Sequence, residues 1–176
     1  MKPLHSGLTA IVICWALLAA GCTGLPQGVT PVSDFDVNRY LGKWYEIARL
    51  DHGFESGLEQ VTAQYSFRRD GGLRVVNRGF DVASGQWRVA EGKAYFIDDT
   101  RTGRLKVSFF GPFYGSYNII ALDQSGYRYA LVCGPDISYL WILARSPDLD
   151  KSIVEELVAH AADLGFDTRQ LIYVRH

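Results

Sequence analysis

Aromatic and β-branched residues recur along this chain in eight short runs, and Gly, Pro, Asp or Ser separates each run from the next. Such runs are typical of β-strands, where bulky side chains pack well on a pleated surface. The predicted strands cover residues 42–51, 60–69, 73–81, 86–97, 104–110, 115–123, 127–133 and 137–145. Short antiparallel strands hide their edges when the sheet closes, and eight strands leave room for one small ligand. The pattern therefore predicts an all-β fold, an eight-stranded antiparallel up-and-down β-barrel, with a β-sandwich as the alternative.

A single C-terminal helix is predicted after the last strand, packed outside the barrel. Ser146 can cap the free backbone amides of a first turn, and Pro147 suits the first helical position. Gly165 is a typical residue for ending the helix. The apolar residues between them recur every fourth position, as one buried face of a helix requires: Leu149, Ile153, Leu157 and Ala161. Residues 170–174 are predicted to form a final short extended piece.

The first 21 residues have the features of a secretory signal peptide. Lys2 precedes an apolar run over residues 8–20 that ends in small residues and is too short to span a membrane comfortably. Residues 18–22 (LAAGC) resemble a bacterial lipobox, which implies that Cys22 carries lipid. Thr23 follows in place of the Asp typical of inner-membrane retention, so the resemblance implies the outer membrane. The alternative is an ordinary signal peptide cut nearby.

Residues 22–34 are rich in Gly, Pro, Thr and Ser and are predicted to be a tether between the anchor and the body. The folded domain is then predicted over residues 35–176. The chain has 18 basic and 19 acidic residues, so its charge gives no reason to expect a nucleic acid partner.

Several kinds of catalytic site lack a signature in the sequence. It has no GxSxG, no P-loop and no GxGxxG before a helix, and its His, Cys and Asp residues show no metal-ligand spacing. With Cys14 in the leader and Cys22 lipidated, Cys133 has no partner cysteine, and a thiol at a strand end is typical of inert core. The sequence predicts a protein that is not an enzyme and needs no metal or cofactor.

Four segments together carry a family resemblance. They are residues 42–49 (GKWYEIAR), 107–115 (VSFFGPFYG), 131–136 (LVCGPD) and 139–145 (YLWILAR). In order and spacing they resemble the bacterial outer-membrane members of the lipocalin family, with apolipoprotein D and the plant temperature-induced lipocalins as more distant relatives. The resemblance covers essentially the whole mature chain.

The resemblance implies a non-catalytic lipoprotein, anchored in the outer membrane and facing the periplasm. It would bind, store or transport amphiphilic lipids such as fatty acids or lysophospholipids for membrane maintenance, and homodimers are expected. One alternative is a carrier of another hydrophobic ligand, such as a chromophore or haem. A second is a filled barrel that binds a partner at the membrane through exposed Trp87 and aromatic turns.

The resemblance also implies a structural signature at one end of the barrel, formed by Gly42, Trp44 and Arg145. The indole of Trp44 would plug this end, and the Arg145 guanidinium would lie across it as a cation-π pair.

The candidate ligand-contacting residues come from the resemblance and from strand alternation. If Trp44 points inward, Glu46 and Ala48 share its face, whereas Trp141 and Tyr139 share the phase of Arg145. Tyr114 and Trp141 are the principal candidates by resemblance. The full set is Tyr114, Trp141, Tyr139, Tyr65, Asn77 and Phe109; the alternative for its aromatic members is that they only fill a core.

Two polar residues near this predicted interior need an explanation. Glu46 must be paired or neutral in an apolar cavity, and an arginine is a candidate partner. His52 falls in the first loop, where a lid over the barrel mouth would lie, and is expected to be a solvated loop residue.

Overall fold

A computed structural model of the protein describes residues 23–176. The predicted signal peptide and the predicted lipidation site, Cys22, lie outside the described residues. Within residues 23–176, no helix has both the length and the apolar character needed to cross a membrane.

Eight strands form one closed antiparallel barrel. Each strand pairs with the next along the chain, and the first also pairs with the eighth, which closes the ring. The strands are β1 (Gly42–Arg49), β2 (Leu58–Phe67), β3 (Leu73–Asp81), β4 (Gln86–Phe96), β5 (Arg104–Ser108), β6 (Gly115–Leu122), β7 (Tyr129–Cys133) and β8 (Leu140–Ala144). The predicted all-β, eight-stranded up-and-down barrel is confirmed.

Three elements outside the ring complete the fold. Helix α1 (Val37–Tyr40), which the sequence pattern did not predict, precedes β1. Helix α2 (Lys151–Asp163) packs outside the barrel as predicted. A two-residue strand, β9 (Ile172–Tyr173), pairs with β1 within the predicted extended piece.

Helix α2 begins later than predicted because a different residue caps it. The Asp150 carboxylate accepts from the Ser152 backbone N–H at 2.8 Å, whereas Ser146 accepts from Asp148 in a separate turn. Strand β8 likewise begins three residues late, since the Asp136 carboxylate accepts from the Ser138 N–H and holds residues 136–139 in a turn.

The buried residues form an inner core within the barrel and an outer core beneath α2. Trp44, Tyr65 and Leu143 belong to the inner core, and Ile142 and Leu157 to the outer one. Alternate residues of each strand therefore serve different cores, as expected for a sheet buried on both faces.

A β-bulge in β1 breaks this alternation. The register with β8 shifts between Glu46 and Ala48, so that Ile47 and Ala48 both belong to the outer core. The prediction that Ala48 shares the inward face of Trp44 was therefore wrong. The extra residue turns Arg49 inward instead, where its side chain meets Glu46.

The two ends of the barrel differ. Helix α1 and Trp44 lie at the closed end. At the opposite end, called the open end here, lie the connections β1–β2, β3–β4, β5–β6 and β7–β8.

Residues 23–34 of the predicted tether lie along the barrel wall. A Cβ added to Gly24 would be 3.5 Å from the Pro135 carbonyl oxygen, so the segment passes beside the β7–β8 connection of the open end. Val29 is buried in the outer core, and Val32 exchanges backbone hydrogen bonds with Ile119 and Gly103. The apolar side chains between the glycines and prolines explain why the segment packs.

Candidate ligand-binding site

Trp44 and Arg145 occupy the closed end in the arrangement that the family resemblance implies. The indole of Trp44 is fully buried and donates to the Tyr40 carbonyl at 2.8 Å. The guanidinium carbon of Arg145 lies 4.0 Å from the centroid of that ring, and its nitrogens donate to the Lys43 and Arg39 carbonyls. Gly42 has a φ of 95°, a conformation that favours glycine.

Three tyrosine hydroxyls meet inside the barrel above this plug. Tyr117 bonds to Tyr40 at 2.7 Å and accepts from Tyr65 at 2.9 Å. Burial raises the pKa of each of the three hydroxyls, so they stay protonated at neutral pH. Tyr65 belongs to the predicted set of site residues, whereas Tyr117 does not. Tyr117 lies two positions before the inward-facing Ile119 on β6, and this spacing could have indicated that it also points inward.

Arg49 is the buried cation of the interior. It is 1% exposed and donates to Glu46 Oε1 at 2.7 Å, which identifies the partner of the inward carboxylate. Its other terminal nitrogen donates to the Glu55 carbonyl at 2.9 Å and to the Leu58 carbonyl at 3.2 Å. One guanidinium therefore ties β1 to the first loop and to the start of β2.

The first loop, residues 50–57, covers the open end and brings Trp141 and Tyr139 together beneath it. The Trp141 indole donates to Glu55 Oε2 at 2.9 Å. The His52 ring stacks on Tyr139 at 4.7 Å between centroids and lies 4.8 Å from the Trp141 ring. His52 is 6% exposed, so the prediction of a solvated histidine was wrong; these stacking contacts remove it from water.

Burial shifts the pKa values of the ionisable side chains at the open end. Burial raises the pKa of Glu46 and the pKa of Glu55, and the nearby Glu55 carboxyl adds to the rise at Glu46. Burial lowers the pKa of His52 to about 4, and nearby Arg49 adds to that effect. At neutral pH the imidazole is therefore uncharged.

Seven buried side-chain polar atoms make no hydrogen bond within the described part of the chain, and three of them are Arg49 Nε, His52 Nε2 and Asn77 Oδ1. Buried polar groups are normally paired, so these atoms have hydrogen-bonding capacity left for water or for a bound molecule. Asn77 alternates with the inward-facing Val75 on β3, as predicted.

Phe109 and Tyr114 differ in their placement. The ring of Phe109 packs against the inner core and covers Gly92, where a Cβ would be 2.8 Å from it. Tyr114 lies near the outward-pointing Tyr95, with the amines of Lys106 and Lys93 5.2 and 5.8 Å from its ring centroid. The structure therefore places Tyr114 on the outer surface and does not bring it together with Trp141.

Cys133 contributes no chemistry to the interior. Its side chain is buried in the outer core, and burial raises the pKa of the thiol to about 12. Among residues 23–176 no group of three or more His, Cys, Asp or Glu side chains could hold a metal ion.

A Glu46→Gln variant is expected to flatten the pH dependence of stability above pH 6.5. Because its pKa is raised to about 8, the folded Glu46 carboxyl keeps a proton that the unfolded chain has released, so the parent protein loses stability as pH rises from 6.5 towards about 8. His52 acts in the opposite sense, but its contribution is complete above its ordinary pKa of 6.5. Urea midpoints at fixed ionic strength measure the effect. The prediction would be contradicted if the urea midpoint changed equally with pH in the parent and in the variant.

Comparison with known proteins agrees with this geometry. The family model described as a lipocalin-like domain matches residues 35–176. The outer membrane lipoprotein Blc of Vibrio cholerae serotype O1 is 54% identical over 165 residues, covering 94% of this chain and 96% of the relative. The Blc lipoprotein of Escherichia coli K12 is 53% identical over 177 residues, covering 99% and 97%.

A solved structure shows the same fold at lower sequence identity. Insecticyanin from the tobacco hornworm Manduca sexta superposes with a TM-score of 0.70 at 24% identity, covering 87% of each chain. The family model and the identity to the two lipoproteins, together with the closed barrel and its Trp44–Arg145 plug, show that this chain belongs to the lipocalin family.

Proposed function

We propose that this protein binds amphiphilic lipids, such as fatty acids or lysophospholipids, in its barrel and stores or transports them without chemical change. The observation that carries the proposal is the buried guanidinium of Arg49 at the open end of an interior lined mainly by apolar and aromatic side chains. A carboxylate or phosphate head group complements a guanidinium, and an acyl chain complements the wall below it.

Ligand uptake would require the first loop to move. In the closed arrangement the Glu55 side chain accepts from Trp141, and its carbonyl accepts from Arg49. Withdrawal of Glu55 frees both donors at once, and an acidic head group can take over the hydrogen bonds.

The affinity would come mainly from the acyl chain. Each buried CH₂ contributes about 0.8 kcal/mol, so a long chain can reach micromolar binding after ordering costs. Trp141, Tyr139, Tyr65, Phe109 and Asn77 are the proposed contacts from the predicted set. Tyr114 would contact only a head group that reaches the outer surface.

The proposed location is the outer membrane, with the barrel in the periplasm and Cys22 lipidated. The basis is the LAAGC sequence and the names of the two bacterial relatives, which are outer membrane lipoproteins. Homodimerisation stays a prediction from the family resemblance.

Lipid carried through purification is the direct test. Full-length protein isolated from a bacterial envelope is analysed by native mass spectrometry and lipid extraction, beside Trp141→Ala and the matched control Trp87→Ala. A fatty acid or lysophospholipid is expected with the parent and with the control, and about tenfold less with Trp141→Ala, because an aromatic contact and an indole donor are lost.

Two results would contradict the proposal. A protein that is empty and also refuses added lysophospholipid would mean that the aromatic side chains fill the barrel. A visible absorption band in the purified protein would identify a chromophore or haem as the ligand.

A further inference from the structure

Exposed apolar side chains surround the open end of the barrel. Each of the four connections there contributes at least one, and their side chains are between 49% and 80% exposed. We call this set the apolar rim: Phe54, Val82, Phe110, Phe113 and Ile137. Among the large hydrophobic residues that residues 23–176 expose, Phe67 is the one at the closed end. This asymmetry points to an apolar medium at one end of the molecule.

The β3–β4 hairpin extends the apolar rim outward. Strand β4 pairs with β5 only from Lys93 onward, so its first six residues project beyond the neighbouring strand and are exposed. Trp87 and Val89 lie on the outer face of this projection, and the Arg78 guanidinium lies 3.5 Å from the Trp87 ring centroid. An indole beside a cation is well suited to a membrane interface, where both groups are favoured.

The N-terminal segment begins at this same end. A Cβ placed on Gly24 would lie 3.5 Å from the Pro135 carbonyl oxygen. Pro135 belongs to the β7–β8 connection, which also carries Ile137 of the apolar rim. The first residues that the structure describes therefore lie beside the apolar rim. A lipid anchor carried just ahead of them would enter the bilayer beside the open end and not beside the closed one.

We propose that the barrel docks with its open end on the bilayer that holds its own lipid anchor, with the apolar rim in the lipid interface. This rests on the proposed anchor at Cys22. A bilayer is the occupant that fits, because a flat apolar surface can contact all four connections at once while the anchor holds them against it. Docked in this way, the barrel exchanges lipids with the membrane without exposing the acyl chain to water.

The test compares two exposed phenylalanines at opposite ends of the barrel. An environment-sensitive fluorophore is attached to Phe110→Cys or to Phe67→Cys in the full, lipidated protein; Cys133 is buried and does not compete for the label. The proteins are reconstituted in phosphatidylethanolamine and phosphatidylglycerol vesicles with brominated acyl chains. Strong quenching is expected at position 110 and none at position 67.

Three results would overturn the docking proposal. Absence of quenching at both positions would mean that the anchor holds the protein at the membrane while the barrel does not contact the bilayer. Equal quenching would mean that it lies on its side. A fluorescence change of the label at position 110 that occurs without vesicles and grows with protein concentration would show that a second copy of the chain covers the apolar rim.

A second measurement removes the anchor. Vesicle flotation of Cys22→Ser protein is expected to weaken by about tenfold when Phe110→Ser and Phe113→Ser are added, and to be unchanged when Phe67→Ser is added. Equal flotation of the two proteins would also overturn the proposal.

Assay of bound lipid in the same samples separates the two proposals. Bound lipid without quenching at position 110 overturns docking alone. Quenching at position 110 in a protein that never carries lipid supports docking and overturns the proposed lipid carrier.

Discussion

Trp44→Ala is expected to lower the free energy of unfolding by about 3–5 kcal/mol, the usual cost of truncating a buried tryptophan. The side chain is fully buried at the closed end, and its removal leaves the Tyr40 carbonyl without its indole donor. Arg145 would also lose the ring that its guanidinium covers. Denaturant unfolding followed by circular dichroism measures the change.

Trp87→Ala is the matched control for this substitution. Trp87 is 42% exposed on the projecting part of β4, so its loss should cost less than about 1 kcal/mol, mainly through the contact with Arg78. Similar losses in the two variants would show that the closed end contributes no special stability.

Arg49→Met is expected to cost a similar 3–5 kcal/mol, for an electrostatic reason. The substitution leaves the buried Glu46 carboxyl without its cation and the Glu55 and Leu58 carbonyls without a donor. The first loop should loosen as well, since those two carbonyls hold it down. Urea unfolding above pH 8, where the Glu46 carboxyl is ionised, gives the stability. Acrylamide quenching of tryptophan fluorescence reports the opening around Trp141.

The double variant Arg49→Met/Glu46→Leu distinguishes an unpaired charge from lost packing. Replacing both members of a buried ion pair by apolar residues is often close to neutral, so the double variant should recover much of the lost stability. Recovery should be incomplete, because the loop carbonyls still lack a donor. A single Arg49→Met variant as stable as the parent would rule out a structural role for this network.

The barrel was predictable from sequence because local patterns determine it. Each strand carries its own alternation and each turn its own Gly, Pro or Asp, so the number and order of strands required no knowledge of long-range contacts. The resemblance placed Trp44 and Arg145 together, and the structure has them in contact.

The errors arose where distant contacts or a single extra residue decide the outcome. Alternation cannot reveal the bulge that turns Ala48 outward and Arg49 inward. His52 is buried only because Tyr139 and Trp141, far along the chain, stack against it. Tyr114 came from the resemblance, although continuing the β6 alternation backward from inward Tyr117 would have placed it outside.

The bulge in β1 also involves the residues that follow β9. An extra residue removes backbone carbonyls from the ladder with β8, and here Val174 donates to the Ile47 carbonyl at 3.0 Å while the His176 ring bonds to the Glu46 carbonyl at 2.8 Å. Residues 172–176 thus bind the backbone of β1 at the bulge, where the inward and outward side chains of the strand exchange faces. A tag or fusion joined at position 176 would disturb these hydrogen bonds, and through them the direction in which the Arg49 side chain points.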